Sequence, residues 1–317
     1  MRVGITGAGM TVPWFLDAAK QIPEMEICAL FARKEEKRRK LCEAYHIPKA
    51  YDSYEKLLAD DSLDVLYLPV PNDLHYSFGK QALEAGKHVI MEKPFCVNRA
   101  EARELAELAE KKGLMIFEAI TIQYNPNYQK VRELLPGLGD IKIVQLNFSQ
   151  YSSRYEAFKR GDIAPVFDVK KAGGALFDLN VYNIHFVAGL FGRPKTVHYY
   201  PNMERDVDTS GILILEYPDF QCVCVAAKDC GAPCSVNIQG DKGCIFSPSK
   251  PSLFEEFSYQ ENKKEAVPYA LRNSEFRFYD ELRAFTDYYT AGDYDGVKKR
   301  LEHSLLIMEI LDTARGV

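Results

Sequence analysis

The chain contains no apolar run long enough to span a bilayer, which argues against a helical membrane protein. It also lacks an excess of positive charge. Its 40 lysines and arginines face 45 aspartates and glutamates, for a formal net charge of −5 at pH 7. That balance gives no general attraction to nucleic acid or to an anionic membrane surface, so neither is expected as a partner. There are no internal repeats, no low-complexity segment and no long linker. No signal-peptide pattern precedes Met1-Arg-Val-Gly-Ile-Thr6, which opens directly on a strand, and a cytoplasmic location is the expectation.

Metal-site spacing is missing as well. The eight cysteines stand at 28, 42, 96, 222, 224, 230, 234 and 244. Cys222 and Cys224 alternate with valines and would share one strand face. Cys230 and Cys234 have neither the paired short spacers of a structural zinc site nor a nearby histidine. No metal is expected, and the cysteines read as buried free thiols in a reducing compartment.

What is present is an ordinary globular composition over 317 residues, 47% hydrophobic and 27% charged, a length that suggests two domains. In the first third, short β-rich runs alternate with amphipathic stretches. Strands are predicted over 2–6, 26–32, 64–69, 88–92 and 115–118, with helices near 10–21, 34–46, 73–86 and 99–113. The last helix carries its own punctuation. Asn98 can cap it with Glu101 as reciprocal partner, Ala102, Leu105, Leu108 and Ala109 form an apolar stripe, and Gly113 ends it. Strand and helix alternating at this pitch predict right-handed βαβ units and a parallel Rossmann sheet over 1–120.

Beyond residue 120 the rhythm changes. Strands are predicted over 141–151, 195–201, 209–217, 220–227, 234–239 and 243–246, with helices near 174–191, 275–291 and 297–315. Consecutive strands without intervening helices predict an α+β domain over 121–317 with a mostly antiparallel open sheet. The fold class is therefore α/β followed by α+β.

The first strand runs into Gly7-Ala8-Gly9-Met10-Thr11-Val12. Gly7 permits a tight turn, Gly9 lets the backbone approach a pyrophosphate, and the following helix offers its N-terminus. A lone G-x-G is weak, but its place between a first strand and a helix makes it strong. The third small position is Val12, and Pro13 suits a first helical turn. At the tip of the second strand an NAD-preferring site would carry an acid. Here the segment reads Ala32-Arg33-Lys34, and Arg33 can grip a 2′-phosphate. NADP(H) is expected, with NAD(H) as the alternative.

Two further segments carry a family resemblance. Pro69-Val-Pro71-Asn72-Asp-Leu-His75, with Glu92-Lys93-Pro94 at a later strand end, resembles the glucose–fructose oxidoreductase, inositol dehydrogenase and rhizopine-catabolism (Gfo/Idh/MocA) family of NAD(P)-dependent oxidoreductases. The resemblance covers nearly the whole chain. It implies that Lys93 lies at the nicotinamide and assists proton transfer, with Pro71, Asn72, His75 and Glu92 lining the cofactor. The residues agree. Lys93 ends a parallel strand at the edge where open α/β sheets bind ligands, and Pro94 permits a cis peptide.

The second part of the resemblance is Gly173-Gly-Ala-Leu-Phe-Asp178-Leu-Asn180-Val-Tyr182-Asn-Ile-His185. Asp178, Tyr182 and His185, at spacings of four and three, would share one helical face. Tyrosine at 182 is similar to the dihydrodiol dehydrogenase, xylose dehydrogenase and glucose–fructose oxidoreductase branches, where other members carry histidine. A phenol can donate to a developing alkoxide. Asp178 would bind substrate hydroxyls or orient Lys93, and His185 either contacts substrate or is a satisfied core histidine. Three positions depart from the family pattern: Asn180 for glycine, Gln123 for a frequent arginine, and Val12 for a small residue. Gln123 is counted with the substrate-binding residues.

The reading that results is a hydride-transferring enzyme acting on a sugar, polyol or cyclic diol, with Lys93 and Tyr182 handling the proton. The alternatives are a non-catalytic NADP(H)-binding regulator and an enzyme that recycles its cofactor internally, as in glycosidic bond cleavage. The resemblance also implies a homodimer or homotetramer. Val223, Val225, Ile212 and Ile214 would line the interface or else belong to the domain's own core.

Overall fold

The computed structural model describes residues 1–316. The first unit runs β1 (Arg2–Thr6), α1 (Thr11–Ala19), β2 (Glu26–Phe31), α2 (Glu35–Tyr45), β3 (Lys49–Tyr51), α3 (Tyr54–Leu58), β4 (Val65–Leu68), α4 (His75–Glu84), β5 (His88–Glu92), α5 (Arg99–Lys112) and β6 (Ile116–Ala119). The five predicted strands are all present, and the four predicted helices sit between them. Only β3 and α3 were not anticipated, because three and five residues are too few for periodicity to show.

Every pairing in this sheet is parallel, in the order β3-β2-β1-β4-β5-β6. Chain direction across the sheet reverses between β1 and β4, the switch point at which open α/β sheets bind ligands. Val3, Ile5, Leu30, Leu66, Tyr67, Val89 and Ile90 are buried, as strands covered on both faces require. Phe15 of α1 stacks on Tyr67 of β4 at 3.9 Å between centroids. The α5 boundaries follow the sequence signals. Asn98 Oδ1 accepts from Glu101 N at 2.9 Å, and Gly113 takes the left-handed conformation at the C-terminus.

The second unit begins with α6 (Pro126–Leu134), β7 (Ile141–Ser149) and α7 (Tyr155–Lys159). A π-helical turn, Leu176–Asn180, then leads into α8 (Val181–Phe191). The rest is sheet: β8 (Thr196–Glu204), β9 (Val207–Glu216), β10 (Gln221–Ala227), β11 (Ser235–Gly240), β12 (Gly243–Ser247), β13 (Phe257–Glu261) and β14 (Val267–Tyr269). Strand order is β14-β13-β12-β11-β7-β10-β9-β8, with β7 and β10 parallel and the other pairs antiparallel. The mostly antiparallel open sheet is thus as predicted, with β13 and β14 added at one edge.

Register separates the two faces of this sheet. Cys222, Cys224 and Ala226 are buried on one, and the two sulfurs lie 3.7 Å apart, on the shared face that their spacing predicts. On the other, Val225 pairs with Ile212 and Val223 with Ile214, and these side chains keep exposed surface. They are therefore not part of the domain's core. The thiols need a correction: Cys28, Cys96, Cys222 and Cys224 are buried, but Cys230 is exposed and Cys42, Cys234 and Cys244 are half-buried. Cys230 lies in the loop after β10, outside the alternation that hides its neighbours.

The last helices are α9 (Tyr279–Ala291) and α10 (Tyr294–Arg315). The segment Ser274–Leu305 belongs to the first compact unit with Met1–Ile120, whereas Thr121–Asn273 and the chain from Leu306 form the second. The first unit thus takes in a segment that follows most of the second in sequence. Aromatic packing is the reason. Phe285 and Tyr288 of α9 meet Phe117 of β6 at 4.6 and 6.2 Å, and Phe278 meets Trp14 at 6.4 Å. Among the described residues no helix is long and apolar enough to cross a membrane.

Candidate active site

In the first unit the loops after β1, β2, β4 and β5 converge at the carboxyl edge of the parallel sheet. Gly7 has φ +105°, and a Cβ there would meet the Pro69 carbonyl oxygen at 3.1 Å, so the turn accepts glycine alone. Its amide donates to Phe31 O at 2.6 Å, tying the loop to the end of β2. A Cβ on Gly9 would meet nothing within 4 Å, which leaves open space above the backbone. Beside it α1 begins at Thr11 with no side chain capping its N-terminus, and Met10 is exposed. Open space over glycine, uncapped amides and a helix N-terminus fit a pyrophosphate. Val12 is buried without disturbing the turn.

At the tip of β2, Ala32 is buried while Arg33 and Lys34 are exposed. Arg38 of α2, not singled out from the sequence, donates to Ala32 O at 2.7 Å and braces this turn. Pro71 and Asn72 open the short 3-10 turn after β4, Pro71 exposed and Asn72 half-buried. His75 sits differently. It is completely buried, with Nδ1 2.9 Å from Pro94 O and Nε2 3.0 Å from Val70 O. Burial pushes this imidazole below its ordinary pKa. His75 is expected to line the cofactor; in the structure its ring ties the loop after β4 to the loop after β5.

Lys93, half-buried, follows β5, and its bond to Pro94 is cis. Just before it, Glu92 accepts from the Tyr67 hydroxyl of β4. Burial raises the pKa of Glu92, with Tyr67 and Lys93 pulling the other way, and holds the Tyr67 phenol well above its usual value. A second carboxyl stands within electrostatic reach. Glu281 of α9 is buried, and its Oε2 meets no hydrogen-bond partner among the described residues. Nothing in the local sequence singled it out, because an acid in the first turn of an amphipathic helix usually faces water.

In the second unit, Gly173 and Gly174 make a turn that larger residues cannot. A Cβ on Gly174 (φ +112°) would lie 1.9 Å from Asp208 Oδ1. Asp208 of β9 accepts from Leu176 N at 2.7 Å and from the Tyr199 hydroxyl at 2.6 Å, fixing the start of the π turn. From Ala172 through Ala188 every residue is buried except Asp178 and Tyr182. Asp178 Oδ2 accepts from Lys228 Nζ at 2.7 Å. Tyr182 packs its ring on Phe148, 5.8 Å between centroids. The π turn gives this helix an acid and a phenol as neighbouring outlets.

Two further members of the predicted set are buried. His185, expected either to contact substrate or to sit in the core, is buried in the α8 packing. Gln123 is buried too; its Nε2 donates to His185 O at 2.8 Å, which ties the turn before α6 to α8. Asn180 accounts for its departure from glycine. Its Nδ2 donates to Cys224 O at 3.3 Å, and its Oδ1 accepts from Asn183 Nδ2 at 2.8 Å, stitching the helix to β10. Among the described residues no cluster of three or more His, Cys, Asp or Glu is placed to hold a metal ion.

A reversing parallel sheet with an open glycine loop defines the first unit as a dinucleotide-binding domain. The particular family follows from comparison. Residues 1–120 match the description "Oxidoreductase family, NAD-binding Rossmann fold" and residues 128–246 match "GFO/IDH/MocA C-terminal domain". The chain belongs to the Gfo/Idh/MocA oxidoreductase family. It is 28% identical over 319 residues to scyllo-inositol 2-dehydrogenase (NADP(+)) of Bacillus subtilis (strain 168), covering 99% of this chain and 96% of that protein. It is 30% identical to trans-1,2-dihydrobenzene-1,2-diol dehydrogenase of Sus scrofa, covering 82% of this chain and 83% of the other. A 3-ketoreductase from Actinomadura kijaniata, crystallised with NADP and TDP-benzene, shares the fold, with TM-score 0.87 and 24% identity over 100% of this chain and 97% of that one.

Proposed function

We propose that this protein is an NADP(H)-dependent dehydrogenase or reductase that interconverts a secondary alcohol and its carbonyl on a sugar, polyol or cyclic diol. The observation that carries the reading is the pair of outlets on a buried helix. Asp178 and Tyr182 alone keep exposed surface between Ala172 and Ala188, and one accepts hydrogen bonds from hydroxyls while the other donates to an alkoxide. The named activities of the inositol and dihydrodiol dehydrogenases support a substrate with neighbouring hydroxyls.

The roles follow from residue chemistry. Gly7, Gly9, Met10 and Thr11 would hold the pyrophosphate, and Ala32, Arg33 and Lys34 the adenosine 2′-phosphate. Pro71, Asn72 and Glu92 would border the nicotinamide. The bound nicotinamide supplies the hydride chemistry. Lys93 and Tyr182 manage the hydroxyl proton, and Asp178 accepts from a second hydroxyl of the substrate. A regulator that only sensed NADP(H) would need the phosphate residues but neither Lys93 nor Tyr182. The free thiols fit a reducing cytoplasm, and the half-exposed apolar face at Ile212, Val223 and Val225 fits association of copies of this chain.

The test is a panel of inositols, pentoses, hexoses and cyclic diols offered with NADP+. At least one is expected to give a stoichiometric rise at 340 nm, and NADPH is expected to bind at least tenfold more tightly than NADH by fluorescence titration. Absence of turnover across the panel, despite NADPH binding, would favour the regulator or internal recycling.

A further inference from the structure

Lys228 follows β10 and is one of the most deeply buried cations in the second unit. Its side chain is 2% exposed, against 28% for its partner Asp178. Several contacts hold the ammonium. It donates to Asp178 Oδ2 at 2.7 Å and to Val166 O at 2.5 Å, and it stands 4.6 Å from the centre of the Phe167 ring. Val166 O also accepts from Gly174 N at 3.1 Å, so one carbonyl joins the glycine turn to the lysine. The backbone of Lys228 is fixed on both sides, with N donating to Thr209 O at 2.8 Å and O accepting from Ser152 N at 2.9 Å. Asp208, bound to Leu176 N, is a second carboxyl in electrostatic reach of the lysine.

A lysine so buried costs several kcal/mol to desolvate, and its attraction to one carboxylate repays that only with good geometry. The arrangement is asymmetric. The cation is sealed inside and its anion reaches the outlet of the helix. We propose that Lys228 is the positioning residue of this site: it fixes Asp178 as an oriented carboxylate and thereby sets affinity for substrates that carry a hydroxyl beside the reacting carbon. The proposal rests on the reading of Asp178 as a substrate-hydroxyl acceptor. It explains why that acid is carried on a π turn held by Asp208 and the glycine pair, since the turn brings the carboxylate onto a lysine 50 residues further along the chain. Lys228 acts through Asp178 and need not touch substrate.

The experiment compares Lys228→Met, Asp178→Asn and the double variant in the intact protein. Lys228→Met is expected to raise KM for the best polyol about tenfold, with kcat within about threefold of wild type and NADPH affinity within twofold. A loss confined to kcat, or an unchanged KM alongside an impaired Asp178→Asn, would overturn the proposal. An unimpaired Asp178→Asn would instead overturn the reading of Asp178 on which it rests. A readout independent of turnover is thermal unfolding. Asp178→Asn removes the carboxylate in direct contact with the buried ammonium, so its Tm is expected to fall below that of the double variant. Additive Tm losses would show the pair uncoupled and likewise overturn the proposal.

Discussion

Replacing Lys93 with methionine is expected to lower kcat about 100- to 10,000-fold while NADPH still binds within about twofold of wild type. Methionine keeps an unbranched apolar stem of similar length but removes the ammonium. The cofactor-binding loops are also tied by hydrogen bonds that do not involve that ammonium. Gly7 is tied to Phe31, and His75 joins Val70 O to Pro94 O, so the edge of the sheet keeps its form without it. The loss should therefore appear in the proton-transfer step and not in cofactor affinity. Steady-state kinetics on the best substrate, with NADPH fluorescence titration on the same preparation, separate the two. Turnover within tenfold of wild type would remove Lys93 from the mechanism, and a parallel loss of NADPH binding would make it a cofactor residue only.

The parts of the molecule that could be read from the sequence are those where chemistry is local. Gly7 and Gly9 sit between a strand and a helix, and both the strained φ of the first and the open space above the second follow from that placement. Asn98 and Gly113 bracket α5 because capping involves residues only a few positions apart. Asp178 and Tyr182 were legible as a pair for the same reason. Their neighbours were not. His75, Gln123 and His185 are polar residues inside functional motifs, and motif membership does not reveal which way a side chain turns. All three turn inward and bond to backbone or pack in the core.

Long-range partners were the least legible. Lys228 lies 50 residues from Asp178 and ends a strand, where a lysine ordinarily reads as solvated. The return of Ser274–Leu305 to the first unit was equally hidden, because an apolar stripe on α9 shows that it covers something without showing which sheet. Only the meeting of Phe285 with Phe117 decides that. The same packing carries Glu281 into the first unit, within electrostatic reach of Glu92, where no sequence pattern would have set two acids together.

That burial predicts how stability depends on pH. Desolvation pushes the Glu281 carboxyl well above its ordinary value of 4.5; nearby Glu92 adds to the rise, and Arg277 opposes it. Below about pH 4 both folded and unfolded chains hold this proton, and Glu281 has no effect on the balance. As pH climbs past 4.5 the unfolded chain releases the proton while the folded one keeps it. The folded state then binds more protons, so stability falls with rising pH until the folded-state pKa is passed. The slope is about 1.4 kcal/mol per pH unit for one such group. Glu281→Gln keeps the shape and removes the titration. Its Tm is expected to match wild type near pH 4 and to exceed it by about 2–6 °C at pH 8, as read by calorimetry across that range. Parallel Tm curves would mean that Glu281 does not titrate differently in the two states. A variant less stable at pH 8 would mean that the ionised carboxylate of Glu281 is held by Arg277.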